Sequence, residues 1–488
     1  MSLKKNILYS SFLTCSNYVF PLITYPYICR VLGVEAIGKC NYILGVVTYF
    51  LLFASMGTSM VGIREIAKNK DNPEALNKTF SSIFLLNLIC TIIVSVPYFI
   101  LVLMSSNLSS YQPLLMLGSI QLIFTVFQIE WFYKGFEEFK YITVRSIIVK
   151  FVYLISLFIF CHKPEDYIIY FSLTIFSFIG NTVFNWFYKK KFVDFIWYFK
   201  GFRKFLSSFF MVGMYTILAS MYTSFNVVYL GWFASDIEVG YYTTAIKLFA
   251  IILSLYTAIT GVFMPRISHL NKKGEKNTVK SLNEKSLNIL IPTVLCFITY
   301  LEVYANEVIY IIAGSGYENA VFPFRILLPI LLFAGIEQIL NNQVLMPFGK
   351  DKYLLITALV GAMIGIILNI TLVGKLQSVG SSIVWMGSVV CTTTLSSIFA
   401  YRTIGKMLPF GILFKNILGL LPLLLVLVTI HTLITAISWS ILLSSIVALI
   451  YFLILQYFFK DEIFLSIIHR LKPVSYTHLR AHETELHL

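Results

Sequence analysis

The chain has 488 residues, of which 58% are hydrophobic and only 12% are charged, and its mean hydropathy is +0.82. So few charges cannot cover a water-facing surface, which excludes an ordinary soluble protein and leaves a polytopic helical membrane protein. The formal net charge of +14 would suit a nucleic-acid-binding protein, but the placement of the basic residues argues against that class.

Fourteen apolar segments follow one another along the chain, and a hydrocarbon core about 30 Å thick needs about 20 apolar residues per crossing. The second segment, 41–63, contains no charged residue and ends at Arg64, where a charged loop begins. Gly33 and Gly38 are expected to frame the turn between the first two segments, because glycine tolerates chain reversal. The predicted spans are 8–29, 41–63, 80–104, 113–133, 144–161, 167–188, 207–233, 240–264, 287–312, 323–346, 354–374, 379–401, 411–432 and 437–459.

Lys and Arg residues are distributed unevenly between the two sides of the predicted membrane. The segments on the side of the N-terminus hold 31 of the 37 basic residues, including Arg145 and Lys150 after the fourth span. Basic loops stay in the cytoplasm, so this asymmetry predicts that both termini are cytoplasmic and that no nucleic acid is bound. The outer segments hold only Arg30, Lys39, Lys163 and Lys375.

An internal repeat relates the two halves of the chain. Gly38 precedes Gly240 by 202 residues, and Arg64 precedes Arg266 by the same interval. An even number of spans per half makes the halves run the same way, related by a pseudo-twofold axis along the membrane normal. We therefore predict an N-terminal six-helix lobe, a basic cytoplasmic linker, a C-terminal six-helix lobe, two additional helices and a disordered or non-native tail. Their ranges are 1–188, 189–206, 207–401, 402–472 and 473–488.

No motif of an enzyme, metal or cofactor site is found. The sequence lacks GxSxG, P-loop and HExxH patterns, and its outer loops are too short to form a catalytic domain. The seven cysteines are scattered without a CxxC pair, which favours buried apolar residues over a disulfide or metal framework. A metal-binding tract in the tail is a minor alternative, through His478, His482 and His487.

Several short motifs resemble those of the polysaccharide flippases of Wzx type, the transporters of O-antigen and capsule repeat units. These motifs are 30–33 with Gly38, 64–67, 239–248 and 264–268, together with the inner loops 134–143 and 347–353. The resemblance spans roughly residues 1–460 and extends to the multidrug/toxin extruders and the lipid II flippase of the same superfamily. It implies an all-α, V-shaped, MATE-like fold of about 14 transmembrane helices, with a cleft between two lobes of six.

Charged residues within or at the edge of spans are the main candidates for substrate contacts, because a charge in hydrocarbon is costly. Lys247 lies about seven residues into the eighth span, Arg30 closes the first and Arg325 opens the tenth. We expect these three to form a cationic wall for a pyrophosphate-linked glycan, since basic side chains donate several hydrogen bonds to phosphate. Interfacial anchoring or snorkelling is the alternative for each.

Glu337 is the candidate for coupling to a proton or sodium gradient. It lies in the middle of the tenth span, on one face with Gln338, Asn341 and Asn342. The alternative is a structural partner for a basic residue of a neighbouring helix.

Spans one and seven are polar on one side, as cleft-lining helices of the superfamily are. Asn17 and Tyr25 in the first, and Tyr222 and Asn226 in the seventh, are expected to bind sugars by stacking and hydrogen bonding. Helix packing through small polar groups is the alternative at any single position.

The resemblance predicts a non-enzymatic flippase of the bacterial inner (plasma) membrane. It would carry undecaprenyl-pyrophosphate-linked oligosaccharide repeat units to the outer leaflet for O-antigen, lipopolysaccharide or capsule assembly. Its partners would be the lipid-linked oligosaccharide, membrane lipid, and the polysaccharide polymerase and chain-length machinery. An ion-coupled multidrug exporter and, less favoured, a membrane glycan polymerase or ligase are the alternatives.

Overall fold

The protein is described by a computed structural model that covers residues 3–104, 106–198, 201–272, 275–405 and 410–459; the tail predicted at 473–488 lies outside these residues. Within them the structure is helical, with short 3₁₀ and π segments. The α-helices are α1 (Leu3–Ser55), α2 (Thr58–Asn69), α3 (Pro73–Met104), α4 (Gln112–Phe124), α5 (Glu130–Gly135), α6 (Phe139–Phe160), α7 (Tyr167–Tyr188), α8 (Arg203–Ser220), α9 (Ser224–Phe233), α10 (Asp236–Lys272), α11 (Lys276–Val303), α12 (Ala305–Ala313), α13 (Val321–Leu327), α14 (Ile330–Ile339), α15 (Asp351–Leu368), α16 (Gly374–Ile404), α17 (Phe410–Leu433) and α18 (Ile437–Phe458).

The helices have the length and composition of membrane spans. Among the described residues, ten helical stretches are long and apolar enough to cross a membrane, or eleven if the bent pair α8 and α9 counts as one. Two stretches, Leu8–Asn69 and Asp351–Ile404, contain 62 and 54 residues, more than twice what one crossing needs, and each covers two predicted spans. The predicted all-α polytopic membrane fold is therefore confirmed, and the number fourteen stays a prediction.

Backbone breaks divide the longest helices. Gly33 has a φ of +76°, which glycine adopts without steric cost, so α1 consists of two helices that meet at this residue. The expectation that Gly38 also frames this turn is wrong, because Gly38 lies within the second helix. A Cβ there would lie 1.7 Å from the carbonyl oxygen of Asp236, so the close approach of α1 and α10 requires a glycine. In α16 a break at Gln377 falls between the predicted eleventh and twelfth spans.

Contacts between Cα atoms divide the chain into two compact units. The first contains α1–α10 and α12–α16, and the second contains α11, α17 and α18. In the second unit, hydroxyl groups join the helices: Tyr304 pairs with Ser440 at 3.1 Å and Tyr300 with Ser445 at 2.9 Å. The predicted lobes and their symmetry stay a prediction.

The predicted linker is fixed against α3 in the first unit. The backbone N–H of Asp194 donates to Asn77 Oδ1 at 3.0 Å, and that of Ile196 donates to Ser81 Oγ at 2.9 Å. The ring of Phe195 packs 5.4 Å from that of Phe84, at the edge of a buried aromatic core. The linker is therefore part of the folded unit rather than a free connection.

Candidate functional site

Lys247 reaches from α10 to both halves of α1. Its Nζ donates to Asn41 Oδ1 at 3.3 Å and lies 4.2 Å from the centre of the Tyr25 ring. None of the ion pairs between described residues includes Lys247. The ammonium group is therefore surrounded by neutral partners, and the structure brings two predicted site residues, Lys247 and Tyr25, into direct contact.

A buried hydrogen-bond network holds α1 and α10 together around this lysine. The Tyr25 hydroxyl pairs with Thr244 Oγ1 at 2.8 Å, and Asn41 Nδ2 donates to Thr243 Oγ1 at 2.9 Å. Both threonine hydroxyls also donate to carbonyl oxygens one turn earlier in α10. Asn41, which sequence reasoning missed, therefore links the lysine to the helix that carries it. The sequence contained one indication of this contact: Asn41 precedes Thr243 by 202 residues, which is the interval of the internal repeat.

Lys150 is a second lysine within the predicted membrane region. It was counted among the cytoplasmic basic residues although the predicted span 144–161 contains it. In the structure α6 begins at Phe139, so Lys150 lies at the middle of this 22-residue helix, about 16 Å from its start. Its Nζ donates to Ser16 Oγ at 2.8 Å and to Asn17 Oδ1 at 2.5 Å. The predicted site residue Asn17 therefore contacts a lysine that had been counted only as a basic residue of the cytoplasmic side.

Arg145, one helical turn and a half before Lys150, has a different environment. Its guanidinium donates to Glu130 Oε2 at 3.0 Å and to Asn185 Oδ1, and Glu130 also pairs with Lys134 at 2.9 Å. A buried cation with a carboxylate beside it has its charge balanced within the protein. In contrast, neither Lys150 nor Lys247 forms an ion pair with a described carboxylate, and Glu130 acts on Lys150 only from a longer distance.

Arg30 contacts backbone carbonyl groups. Its guanidinium donates to the carbonyl oxygens of Ile311 at 2.5 Å and Ile312 at 3.2 Å, in the last turn of α12, and to that of Pro26 at 2.8 Å. The last carbonyls of a helix have no partner within it, and a cation there also interacts favourably with the helix dipole. Arg30 therefore caps α12, and its predicted contact with a headgroup stays a prediction.

Arg325 lies on α13, apart from the lysine contacts with α1. It lines a cavity of about 320 Å³ together with Glu238, Glu318 and Gln377. Glu238 in turn accepts the backbone N–H of Ser378 at 3.1 Å. The structure therefore places Arg325 beside acidic side chains, and its role in substrate binding stays a prediction.

Tyr222 and Asn226 make helix-packing contacts. Asn226 is fully buried, and its Nδ2 donates to the Tyr242 hydroxyl at 2.7 Å and to the Ser381 carbonyl at 2.8 Å. Tyr222 packs against α15 at Gly365, where an added Cβ would lie 3.0 Å from Tyr222 Cβ. These contacts join α9 and the turn that precedes it to neighbouring helices, and sugar binding by either residue stays a prediction.

Glu337 lies among hydroxyl and amide groups on α14. Thr392 Oγ1 donates to its Oε2 at 2.8 Å, and Asn341 Nδ2 donates to its Oε1 at 3.4 Å. No ion pair between described residues includes this carboxylate. The chain continues directly into a π-helical segment, Leu340–Leu345, a distortion frequent at functional sites. The geometry therefore differs from that of a simple structural ion pair.

The known proteins that this chain resembles in sequence agree with one another in their assigned roles. The sequence profile of the family described as polysaccharide biosynthesis protein matches residues 3–271, more than half of the chain. The chain is 24% identical over 410 residues to a protein assigned as an O-antigen transporter in Escherichia coli (strain K12), a match that covers 82% of this chain and 97% of that protein. It is 22% identical over 192 residues to a protein assigned as the low-salt glycan biosynthesis flippase Agl15 of Haloferax volcanii, covering 38% and 40%.

Solved structures of transporters share the fold. The lipid II flippase MurJ in an inward closed conformation superposes with a TM-score of 0.77 at 18% identity, covering 94% of this chain and all of that one. An inward-facing multidrug resistance transporter of the MATE family superposes with a TM-score of 0.60 at 14% identity, covering 79% and 92%. At these identities the similarity is one of fold.

Proposed function

The chain belongs to the polysaccharide biosynthesis protein family, as a Wzx-type member of the superfamily that includes MurJ and the MATE transporters, and from this membership we propose that it flips undecaprenyl-pyrophosphate-linked oligosaccharide repeat units. It is a multi-pass membrane transporter and not an enzyme. The repeat units delivered to the outer leaflet would be used for O-antigen or capsule assembly. A polysaccharide polymerase and chain-length machinery would be this protein's partners in that assembly. We place it in the bacterial plasma membrane with both termini cytoplasmic, as the basic loops predict.

The observation that carries the proposal is the neutral environment of Lys247. A charge within the membrane is costly unless it meets an opposite charge or water. The contacts described for the Lys247 ammonium group are an amide oxygen, which accepts its hydrogen bond, and an aromatic ring, and neither carries a negative charge that would balance it. A pyrophosphate group supplies both negative charge and acceptor oxygens, so the substrate itself would complete this site.

The position of Lys247 between α1 and α10 suits an alternating-access mechanism. The residues that hold it come from the first and second halves of the repeat, so a movement of one half against the other would change its surroundings. A ligand drives such a movement only if it binds the two states with different affinity. The anion bridging these helices would provide that difference.

Glu337 supports the proposal that transport is coupled to a proton or sodium gradient. Its carboxylate has hydroxyl and amide donors but no described cation partner, so it retains the capacity to bind a proton or a metal cation. The energy for directional transport would enter through this carboxylate, whereas the headgroup would bind at the lysine.

Complementation tests the proposal. A strain that lacks its own repeat-unit flippase would receive the full chain, Lys247→Gln, Lys247→Arg, or Lys163→Gln as the loop control. We expect surface polysaccharide from the wild type and the control, partial recovery with arginine, and at least a tenfold loss with glutamine at equal expression. A wild-type chain that restores no polysaccharide but lowers drug accumulation in an exporter-deficient strain would contradict the proposal and favour a multidrug exporter.

A further inference from the structure

Helix α1 has two exposed faces of opposite character. Phe12, Val19 and Ile23 are 61, 42 and 49% exposed and are all apolar. Ser10, Asn17 and Thr24 follow one another at intervals of seven residues, so they share a face on the other side of the helix, and all three are at least partly exposed. An apolar exposed face suits lipid, whereas a polar one within a membrane lines a water-filled cavity. We therefore assign the face of Asn17 to the transport cavity.

Lys150 joins this polar face. Its ammonium group donates to Asn17 Oδ1 and Ser16 Oγ, and it lies 5.7 Å from the centre of the Phe20 ring. An ammonium group has three N–H donors, so these two bonds leave one for a ligand. Because Asn17 accepts through its oxygen, its amide N–H groups are also available to an anion. Lys150 forms no ion pair within 4 Å among the described residues, and the nearby Glu130 carboxylate is already paired with Arg145 and Lys134, so the group combines a positive charge with additional donors.

The surroundings of Lys150 and Lys247 repeat the same pattern at two levels of α1. Each ammonium group bonds an asparagine oxygen and lies over an aromatic ring, at Asn17 and Phe20 in one case and at Asn41 and Tyr25 in the other. Asn17 and Tyr25 are eight residues apart, which is about 12 Å along a helix. Arg145 on α6 also bonds an asparagine oxygen and lies over a ring, at Asn185 and Tyr141, but it differs from both lysines in its ion pair with Glu130.

We propose that Lys150, Ser16 and Asn17 form a second anion-binding station, which holds the pyrophosphate of the lipid-linked substrate at a different depth from Lys247. This inference rests on the proposed function and adds a site to it. Two stations at successive levels of α1 divide the passage of a charged headgroup into two shorter steps, each with a positive partner. The headgroup would meet Lys150 on the side of the chain's N-terminus and Lys247 beyond it.

Binding to the purified full-length protein in lipid nanodiscs tests the station. The probes are undecaprenyl pyrophosphate, uncharged undecaprenol and inorganic pyrophosphate. We expect Lys150→Gln to weaken binding of undecaprenyl pyrophosphate about tenfold or more and to leave undecaprenol unchanged, since only a charge-assisted contact is lost. Lys140→Gln, an exposed lysine at the start of the same helix, is the matched control and should bind like the wild type.

Two further variants separate charge from packing. Lys150→Arg keeps the positive charge and should retain binding within a few-fold of the wild type. Asn17→Asp leaves the lysine in place but gives it an internal counter-charge, so it should weaken binding of undecaprenyl pyrophosphate as Lys150→Gln does. Thermal unfolding of each variant checks that it is folded.

The outcomes distinguish the two proposals. One outcome is that the wild type binds undecaprenyl pyrophosphate more tightly than undecaprenol while Lys150→Gln shows the same preference. In that case the second station is wrong and the proposed function stands. If the wild type has no such preference, the proposed function fails as well. If inorganic pyrophosphate competes as well as the lipid, the site is one for free anions and the assignment to the lipid-linked substrate is overturned.

Discussion

Asn41 Nδ2 donates a hydrogen bond of 2.9 Å to Thr243 Oγ1, and the two residues are separated by 202 positions, the interval that relates Gly38 to Gly240. The glycines make reciprocal contacts. A Cβ on Gly38 would meet the carbonyl oxygen of Asp236, and a Cβ on Gly240 would meet that of Val34, in each case four residues before the other glycine. The two repeats therefore touch through equivalent backbone positions, and this contact holds Asn41 beside Lys247.

The first prediction concerns Gly38. In Gly38→Ala the new methyl group would lie 1.7 Å from the Asp236 carbonyl oxygen, which cannot be relieved by moving a flexible side chain. We expect the free energy of unfolding to fall by about 1–3 kcal/mol, as is usual for overpacking, with reduced folded yield. Thermal unfolding in detergent measures this. Gly374→Ala is the control, because nothing lies within 4 Å of its Cβ and its φ is helical; equal loss in both variants would contradict the packing argument.

The second prediction concerns Arg30. Removing the guanidinium in Arg30→Ala leaves the carbonyls of Ile311 and Ile312 without this donor, so we expect the unfolding temperature to fall. Arg30→Lys should recover only part of the loss, because an ammonium group cannot reproduce the planar fork of donors. Binding of undecaprenyl pyrophosphate by the folded fraction separates the two roles of Arg30: unchanged affinity assigns it to the end of α12 alone, and a tenfold loss at unchanged stability assigns it to the headgroup.

The third prediction concerns Glu337. Glu337→Gln keeps the size of the side chain and an acceptor for Thr392, but it removes the charge. We expect folding and binding of undecaprenyl pyrophosphate to be retained, and gradient-driven flipping in reconstituted vesicles to fall at least tenfold. Glu165→Gln, in an exposed loop, is the control. Full gradient-driven transport by Glu337→Gln would contradict the coupling role, whereas loss of folding would assign the carboxylate to structure.

Residues that depend on the neighbouring helix were the hardest to interpret from sequence. Lys247 was found because a charge inside an apolar run is conspicuous in any fold. Lys150 was missed because it was counted with the cytoplasmic basic residues, although the predicted span 144–161 contains it, and its contacts depend on how α6 packs against α1. Arg30 was identified by its charge. The α12 carbonyl groups that it contacts lie some 280 residues further along the chain, so the sequence around Arg30 gave no indication of that contact.

The apolar runs, the basic loops and the short motifs were sufficient to identify a helical membrane protein of the polysaccharide flippase type. Long apolar runs must form helices in lipid, since every backbone polar group has to be satisfied within the segment, and this constraint is local. The contact of α10 with Gly38 and the hydrogen bond between Lys150 and Asn17 became visible only in the packed helices. Those pairings depend on which helices are neighbours and on their rotation, which small residues and buried polar groups fix across more than a hundred residues of chain.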